Sequence, residues 1–149
     1  MLFDKVSEYD LLWKNKKIIN IMMVKDFLII SFTGKDDKIG LKVNNNFYIH
    51  DFQNKTQNNE ILVSKILNIS NKHKVNFDKK FSIIVNNGPG SFSSIRVALA
   101  VAKGITIAKS VQLFGFNDAD LPQFNLENIE VLIDKNLRDK KLIKPLYLS

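Results

Sequence analysis

The chain has 149 residues, of which 45% are apolar and 25% charged, so it is long enough for one globular domain with a hydrophobic core. It contains no cysteine and no apolar run near the roughly 20 residues of a membrane span, which excludes disulfides, thiolate metal sites, cysteine nucleophiles and membrane-spanning helices. The net charge of +7 suggests a nucleic-acid partner, although Arg96 and Arg138 are the only arginines among its basic residues.

Residues 1–25 are predicted to form an amino-terminal extension. Four apolar residues recur there at roughly helical spacing: Phe3, Val6, Tyr9 and Trp13. The segment could be a short helix packed on the domain or on a partner, or an upstream extension, because Met22 and Met23 directly precede the first convincing strand. The acidic residues among the first ten do not fit a secretion signal, so we expect a cytoplasmic protein.

From Phe27 the pattern changes to short extended runs joined by polar turns. The first three runs predict an antiparallel meander over residues 27–32, 39–43 and 47–52. A helix follows. Asn58 or Asn59 can cap its amino terminus, and the negative charge of Glu60 in the first turn is favourable for the helix dipole. Residues 81–85 have no polar face, as expected for a central strand covered on both sides.

The second half of the chain predicts alternating helices and strands. A long helix over residues 93–109 and a strand over 111–116 complete a strand–helix–strand unit, which implies a right-handed parallel crossover. The whole order predicts an α/β fold with a mixed sheet. Beyond Asn117 the signals weaken, and we predict short strands over residues 129–133 and 142–148, separated by a charged stretch.

The connection Gly88-Pro89-Gly90-Ser91 lies between the buried strand and the long helix. Glycine reaches positive φ without a steric clash, proline fixes its own φ, and Ser91 or Ser93 can cap the first helix amides. The turn could be a tight structural connection, or it could bind an anion at the helix amino terminus. The helix that follows is apolar nearly all round, which indicates a second helix layer or another protein on its outer side.

The turn and its helix resemble a long motif of TsaB-type (YeaZ-type, Gcp-like) proteins, which reads Gly-Pro-Gly-Ser-Phe-Thr-Gly-[Leu/Val]-Arg-Ile-Gly-Leu-Ala…Ala-Lys-Gly. The positions that match in register are Gly88 to Phe92, Arg96, Leu99, Ala100 and Ala102 to Gly104. Ser93 and Ser94 replace Thr and Gly, and Pro145 to Leu148 resembles the family's closing Pro-x-Tyr-Leu. The resemblance covers about residues 26–117 and this tail.

The resemblance implies an actin-like ATPase (ribonuclease H-like) lobe over residues 26–117, with 118–149 as a reduced remnant of the second lobe that ends in a strand. It implies a non-catalytic subunit without a cofactor or metal, which docks on a TsaD-type catalytic paralogue. That complex, with a TsaE-type ATPase, makes threonylcarbamoyladenosine in tRNA, so tRNA is contacted indirectly. The expected interface residues are Glu60, Ile95, Ala98, Leu99 and Ala102, and the same surface could support a homodimer. Gly88, Pro89, Gly90, Ser91 and Arg96 form the structural turn or anion site.

The family's first strand ends in Ile-Asp-Thr-Ser, whereas this chain has Ser31 at the acidic position, so a metal-organising carboxylate is missing there.

Two alternatives to the scaffold stay open. A nucleotide-binding enzyme using the Gly88–Ser91 turn would need a phosphate loop, and the turn matches neither the Walker nor the dinucleotide pattern. A basic RNA-binding protein would use Lys72, Lys74, Lys79 and Lys80, or residues 135–144.

Overall fold

A computed structural model describes residues 26–52 and 59–139, which form one mixed five-stranded sheet with helices on both faces. In chain order its elements are β1 Phe27–Ser31, β2 Lys38–Val43, β3 Asn46–Asp51, α1 Asn59–Lys72, β4 Ser82–Asn86, α2 Phe92–Lys109, β5 Gln112–Phe116, a 3₁₀ turn Asp118–Asp120, and α3 Leu126–Asp139. The α/β class and the mixed sheet predicted from the sequence are confirmed.

The antiparallel half of the sheet is the predicted meander. β2 pairs with both β1 and β3, and Val43 faces Asn46 across a two-residue hairpin. The central residues Asn44 and Asn45 both have positive φ, of 52° and 67°, which asparagine tolerates better than most residues. Asn44 also donates its backbone N–H to Asp26 Oδ1 at 3.3 Å.

The parallel half of the sheet consists of β1, β4 and β5, in the overall strand order β3-β2-β1-β4-β5. α1 leads from the meander to β4, and α2 leads from β4 to β5. The predicted parallel crossover is therefore confirmed. All three parallel strands end at the same edge of the sheet, and the Gly88–Ser91 turn lies at that edge.

The core is divided by the sheet because alternate residues of each strand point to opposite faces. Leu28 and Ile30 of β1 pack in the cluster that contains buried residues of α1 and α2. Phe27 and Ile29 pack in the other cluster, with Phe114 and residues of α3. β4 is buried along its whole length, as predicted for a strand covered on both faces.

The strand predicted over residues 129–133 is wrong, because this segment lies within α3. Ile129, Leu132 and Ile133 are buried at positions i, i+3 and i+4, which share one side of a helix and not one side of a strand. Asn125 opens the helix, since its Oδ1 accepts the Asn128 backbone N–H at 2.9 Å. Glu130 then binds Lys42 of β2 at 2.9 Å.

The predicted extension over residues 1–25 and the strand over 142–148 lie outside the described residues, and the division into a lobe and a remnant stays a prediction. Among the described helices, none combines the length and apolarity needed to cross a membrane.

Candidate functional site

The Gly88–Ser91 turn is held at the carboxyl end of β4 by hydrogen bonds within the chain. Gly88 has a φ of 115°, and its backbone N–H donates to Asn86 Oδ1 at 2.8 Å. The Gly88–Pro89 peptide bond is cis. Ser91 donates its N–H to the Thr33 carbonyl oxygen at 2.7 Å. Its Oγ lies 3.5 Å from the Ser94 N–H, which makes Ser91 the predicted cap of α2.

Gly90 is required because the turn lies directly on the β1–β2 connection. A Cβ atom at Gly90 would be 2.5 Å from the Thr33 carbonyl oxygen and 2.6 Å from Thr33 Cβ, well inside contact distance. Asp37 fixes that connection from the other side, because one of its oxygens accepts the N–H groups of Thr33 and Gly34 at 2.9 Å each. The turn is therefore locked between two structural elements, and the anion-binding interpretation stays a prediction.

A row of polar side chains crosses the ends of the three parallel strands. Asn86 of β4 is buried and donates from Nδ2 to Ser31 Oγ at 3.1 Å and to Asp118 Oδ1 at 2.6 Å. The sequence has Ser31 where TsaB-type proteins have a carboxylate, and the structure shows that Asp118, just after β5, supplies one. The only sequence signal was the position of Asp118 two residues after an apolar strand.

This polar row lines a cleft of about 350 Å³. Lys35 and Asp36 of the β1–β2 connection, Lys38 of β2 and Phe124 also line it. Clefts at the carboxyl ends of parallel strands are common ligand sites. Within residues 26–52 and 59–139, however, no three His, Asp or Glu side chains are grouped in a way that could hold a metal ion.

The expected interface residues of α2 point mainly into the chain. Ala98, Leu99 and Ala102 are buried in the core against the sheet, and Ile95 is half-buried beside them. Glu60 lies in the first turn of α1, and its side chain is outside the described part of the structure. These residues therefore set the position of the helical layer, and whether that layer contacts a partner stays a prediction.

The outer side of the helical layer is formed by different residues. Ser93, Ala108 and Lys109 are exposed near the ends of α2, and the other exposed positions recur at three- and four-residue spacing: Phe92, Arg96, Ala100, Gly104 and Ile107. We call these five positions the outer stripe. Phe92 is 74% exposed and Ile107 is 82% exposed, while Arg96 lies over the Phe92 ring at 5.1 Å. Val63 and Leu67 of α1 are also exposed and lie one helical turn apart.

The two histidines lie apart from the turn. His73, just after α1, stacks on Tyr48 with ring centroids 3.8 Å apart. Burial and the nearby Lys65 ammonium lower the pKa of His50 below its usual 6.5, while Asp51 opposes the shift. Neither position resembles a nucleophile–base pair.

Two solved structures share this fold. One is YeaZ from Pseudomonas aeruginosa, with a TM-score of 0.58, 15% identity, and coverage of 78% of this chain and 50% of that one. The other is an uncharacterized protein with similarity to peptidase YeaZ from Pseudomonas aeruginosa, with a TM-score of 0.56, 16% identity, and coverage of 62% and 43%. No protein-family model and no curated protein matches the chain.

These comparisons confirm the predicted fold, since YeaZ has the ribonuclease H-like, actin-like architecture, and they agree with the resemblance to TsaB-type proteins. At 15–16% identity they show the fold alone. The chain spans about half the length of these two structures.

Proposed function

We propose that the chain is a non-catalytic TsaB-type scaffold, which docks its helical layer on a TsaD-type catalytic paralogue in tRNA threonylcarbamoyladenosine synthesis. The fold shared with YeaZ and the motif from Gly88 to Gly104 support this proposal. A TsaE-type ATPase would join the same complex.

The observation that carries the proposal is the composition of the outer stripe. A solvent-facing helix side is usually polar, but this one presents Phe92, Ala100, Gly104 and Ile107. The stripe is about 22 Å long, because Phe92 and Ile107 are fifteen residues apart and an α-helix rises about 1.5 Å per residue. Exposed apolar surface of this extent favours a protein partner.

The middle of the stripe suits the close approach of another helix. Ala100 is exposed and has only a methyl side chain, and a Cβ atom at Gly104 would meet no heavy atom within 4 Å. Val63 and Leu67 of α1 extend the apolar surface beside it. A stable complex would need to bury roughly 800 Å² on each partner, which a two-helix surface can supply.

Co-expression with the TsaD-type protein of the same genome tests the proposal. We expect a heterodimer whose dissociation constant rises by at least about 30-fold in Ala100→Glu, since a charge would enter the centre of the interface. Val131→Glu is the matched control, because Val131 is 69% exposed on α3, across the sheet from the stripe. Failure of the wild-type chain to associate, or equal losses in both variants, would refute the proposal.

The same experiment covers the homodimer. If the stripe joins two copies of this chain, the isolated wild-type protein will be dimeric in light scattering and Ala100→Glu will be monomeric. Depletion of the protein followed by measurement of threonylcarbamoyladenosine in tRNA tests the biological role directly.

A nucleotide-binding enzyme is the second candidate, and the cleft beside Asn86 favours it. Lys35 and Lys38 line that cleft and could contact phosphate groups. Calorimetric titration of the isolated chain with ATP and magnesium separates the candidates, because the scaffold proposal expects no micromolar binding.

A further inference from the structure

The fold gathers lysines from three separate segments at the end of the sheet where β4 and β5 begin. α1 and α2 both end there. The segments that follow these two helices lie side by side, because the Gln112 N–H donates to the Phe81 carbonyl oxygen at 3.0 Å. Five lysines lie at this end, all of them exposed: Lys72, Lys74, Lys79, Lys80 and Lys109. We call these residues the lysine end.

The lysine end has little neutralising charge. Asp26 and Asp78 lie near it, and each accepts a backbone N–H, from Asn44 and Lys80 respectively. Lys42 also lies at this end, since it pairs with Phe27 at the start of β1, but it forms an ion pair with Glu130 at 2.9 Å. Within the described residues none of the five lysines forms an ion pair. Positive charge is therefore left uncompensated on one end of the molecule.

The opposite end of the sheet is acidic. Five aspartates lie there, at or just beyond the ends of β1, β3 and β5, together with Lys35 and Lys38: Asp36, Asp37, Asp51, Asp118 and Asp120. A lysine-rich composition explains how many lysines the chain has, but it does not explain why carboxylates outnumber lysines at this end and lysines outnumber carboxylates at the other. The separation makes the lysine end a local positive field.

Helix dipoles account for only part of the arrangement. Lys72 and Lys109 lie in the last turns of α1 and α2, where positive charge is favourable. Lys74, Lys79 and Lys80 lie in the connection from α1 to β4, outside either helix. These three lysines have no such structural explanation.

We infer that the lysine end binds the phosphate backbone of RNA without reading its sequence. The segments 73–81 and 110–112 expose no large apolar side chain, which a protein interface or a membrane surface would use. They also contain no arginine fork for base edges. Exposed ammonium groups alone suffice for phosphate contacts.

Fluorescence anisotropy of a short labelled RNA duplex, titrated with the full chain over a range of salt concentrations, tests this inference. If all five lysines contact phosphates, affinity should fall about 100- to 1,000-fold between 50 and 200 mM salt. Duplexes of different sequence should bind equally.

A pair of variants with the same charge change locates the contact. Lys79→Gln combined with Lys80→Gln should weaken binding roughly 10-fold and lower the salt slope by about two. Asn87→Asp combined with Val131→Glu makes the same change of two charge units at exposed positions elsewhere and should change neither. Equal losses in both double variants, or no salt-dependent binding by the wild type, would overturn the inference. No TsaD-type protein is present, so the result is independent of the docking proposal.

Discussion

The Asn86 hydrogen bonds can be tested with a nearly isosteric change. In Asn86→Asp the side chain keeps an oxygen that can accept the Gly88 N–H, which now lies 2.8 Å from Asn86 Oδ1. It loses the Nδ2 donor, which now reaches Ser31 Oγ at 3.1 Å and Asp118 Oδ1 at 2.6 Å. The serine hydroxyl can rotate and donate to the new carboxylate, so the contact with Asp118 decides the result.

The cost at neutral pH follows from that contact. Loss of a hydrogen bond to a charged group costs about 1.5–3 kcal/mol. Two carboxylates about 4 Å apart also repel, and because Asp118 is exposed the repulsion should lie between the roughly 1 kcal/mol of bulk water and the roughly 4 kcal/mol of a protein surface. The free energy of unfolding should therefore fall by about 2.5–7 kcal/mol, a large share of a domain's total stability.

The loss should shrink in acid. The neighbouring carboxylate raises the folded-state pKa of the introduced carboxyl above its unfolded value, so the penalty is largest at neutral pH and decreases as the pH falls through that raised pKa. Urea unfolding followed by circular dichroism at pH 7 and pH 4.5 measures both effects. Asn87→Asp is the control, because Asn87 is exposed and adjacent. A loss below 1 kcal/mol at pH 7, or one independent of pH, would refute the reasoning.

Three further changes test other features of the fold. Gly90→Ala should destabilise the protein by about 1–3 kcal/mol, because the new methyl group clashes with the β1–β2 connection. Gly104→Ala should stabilise it by up to about 1 kcal/mol, because alanine favours a helix more than glycine does and has open space there. Equal effects of the two changes in urea unfolding would contradict this. Ser70→Ala should stabilise by about 1 kcal/mol, because Ser70 Oγ is buried and has no hydrogen-bond partner among the described residues, and a loss of stability would contradict this. NMR titration should give His50 a pKa below 6.5, and this pKa should rise in Lys65→Gln. The stability that neutral His50 contributes is complete above pH 6.5 and is lost as the pH falls through the folded-state pKa. An unchanged pKa in Lys65→Gln would contradict the role of Lys65.

The sequence was most informative where backbone geometry restricts residue type. The polar turn predicted between the second and third strands is the hairpin at Asn44 and Asn45, where both residues have positive φ. The glycines of the Gly88–Ser91 turn marked the strand-to-helix connection for the same kind of reason. The apolar run of β4 indicated a strand covered on both faces, and its burial confirms it. Each of these signals acts within a few residues.

The features that were missed depend on contacts between distant segments. The run from Ile129 to Ile133 fits a strand by composition, and only packing against Phe114 and the Lys42–Glu130 ion pair identifies α3. The contact of Asp118 with Asn86 joins residues 32 positions apart. The inward direction of Ala98 and Ala102 was equally inaccessible, because a helix that is apolar nearly all round does not reveal which side meets the sheet.

The outer stripe and the lysine end use different residues, so their functions can be separated. Ala100 lies near the middle of α2, whereas Lys79 and Lys80 lie in the connection before β4. A substitution at Ala100 should therefore weaken a protein partner without changing RNA affinity, and the Lys79–Lys80 double variant should do the reverse. Loss of both activities in one variant would indicate unfolding of the sheet that carries them. The Asn86→Asp protein is the reference for such unfolding. Its substitution lies outside the outer stripe and at the opposite end of the sheet from the lysine end, so any loss of both activities in it comes from lower stability.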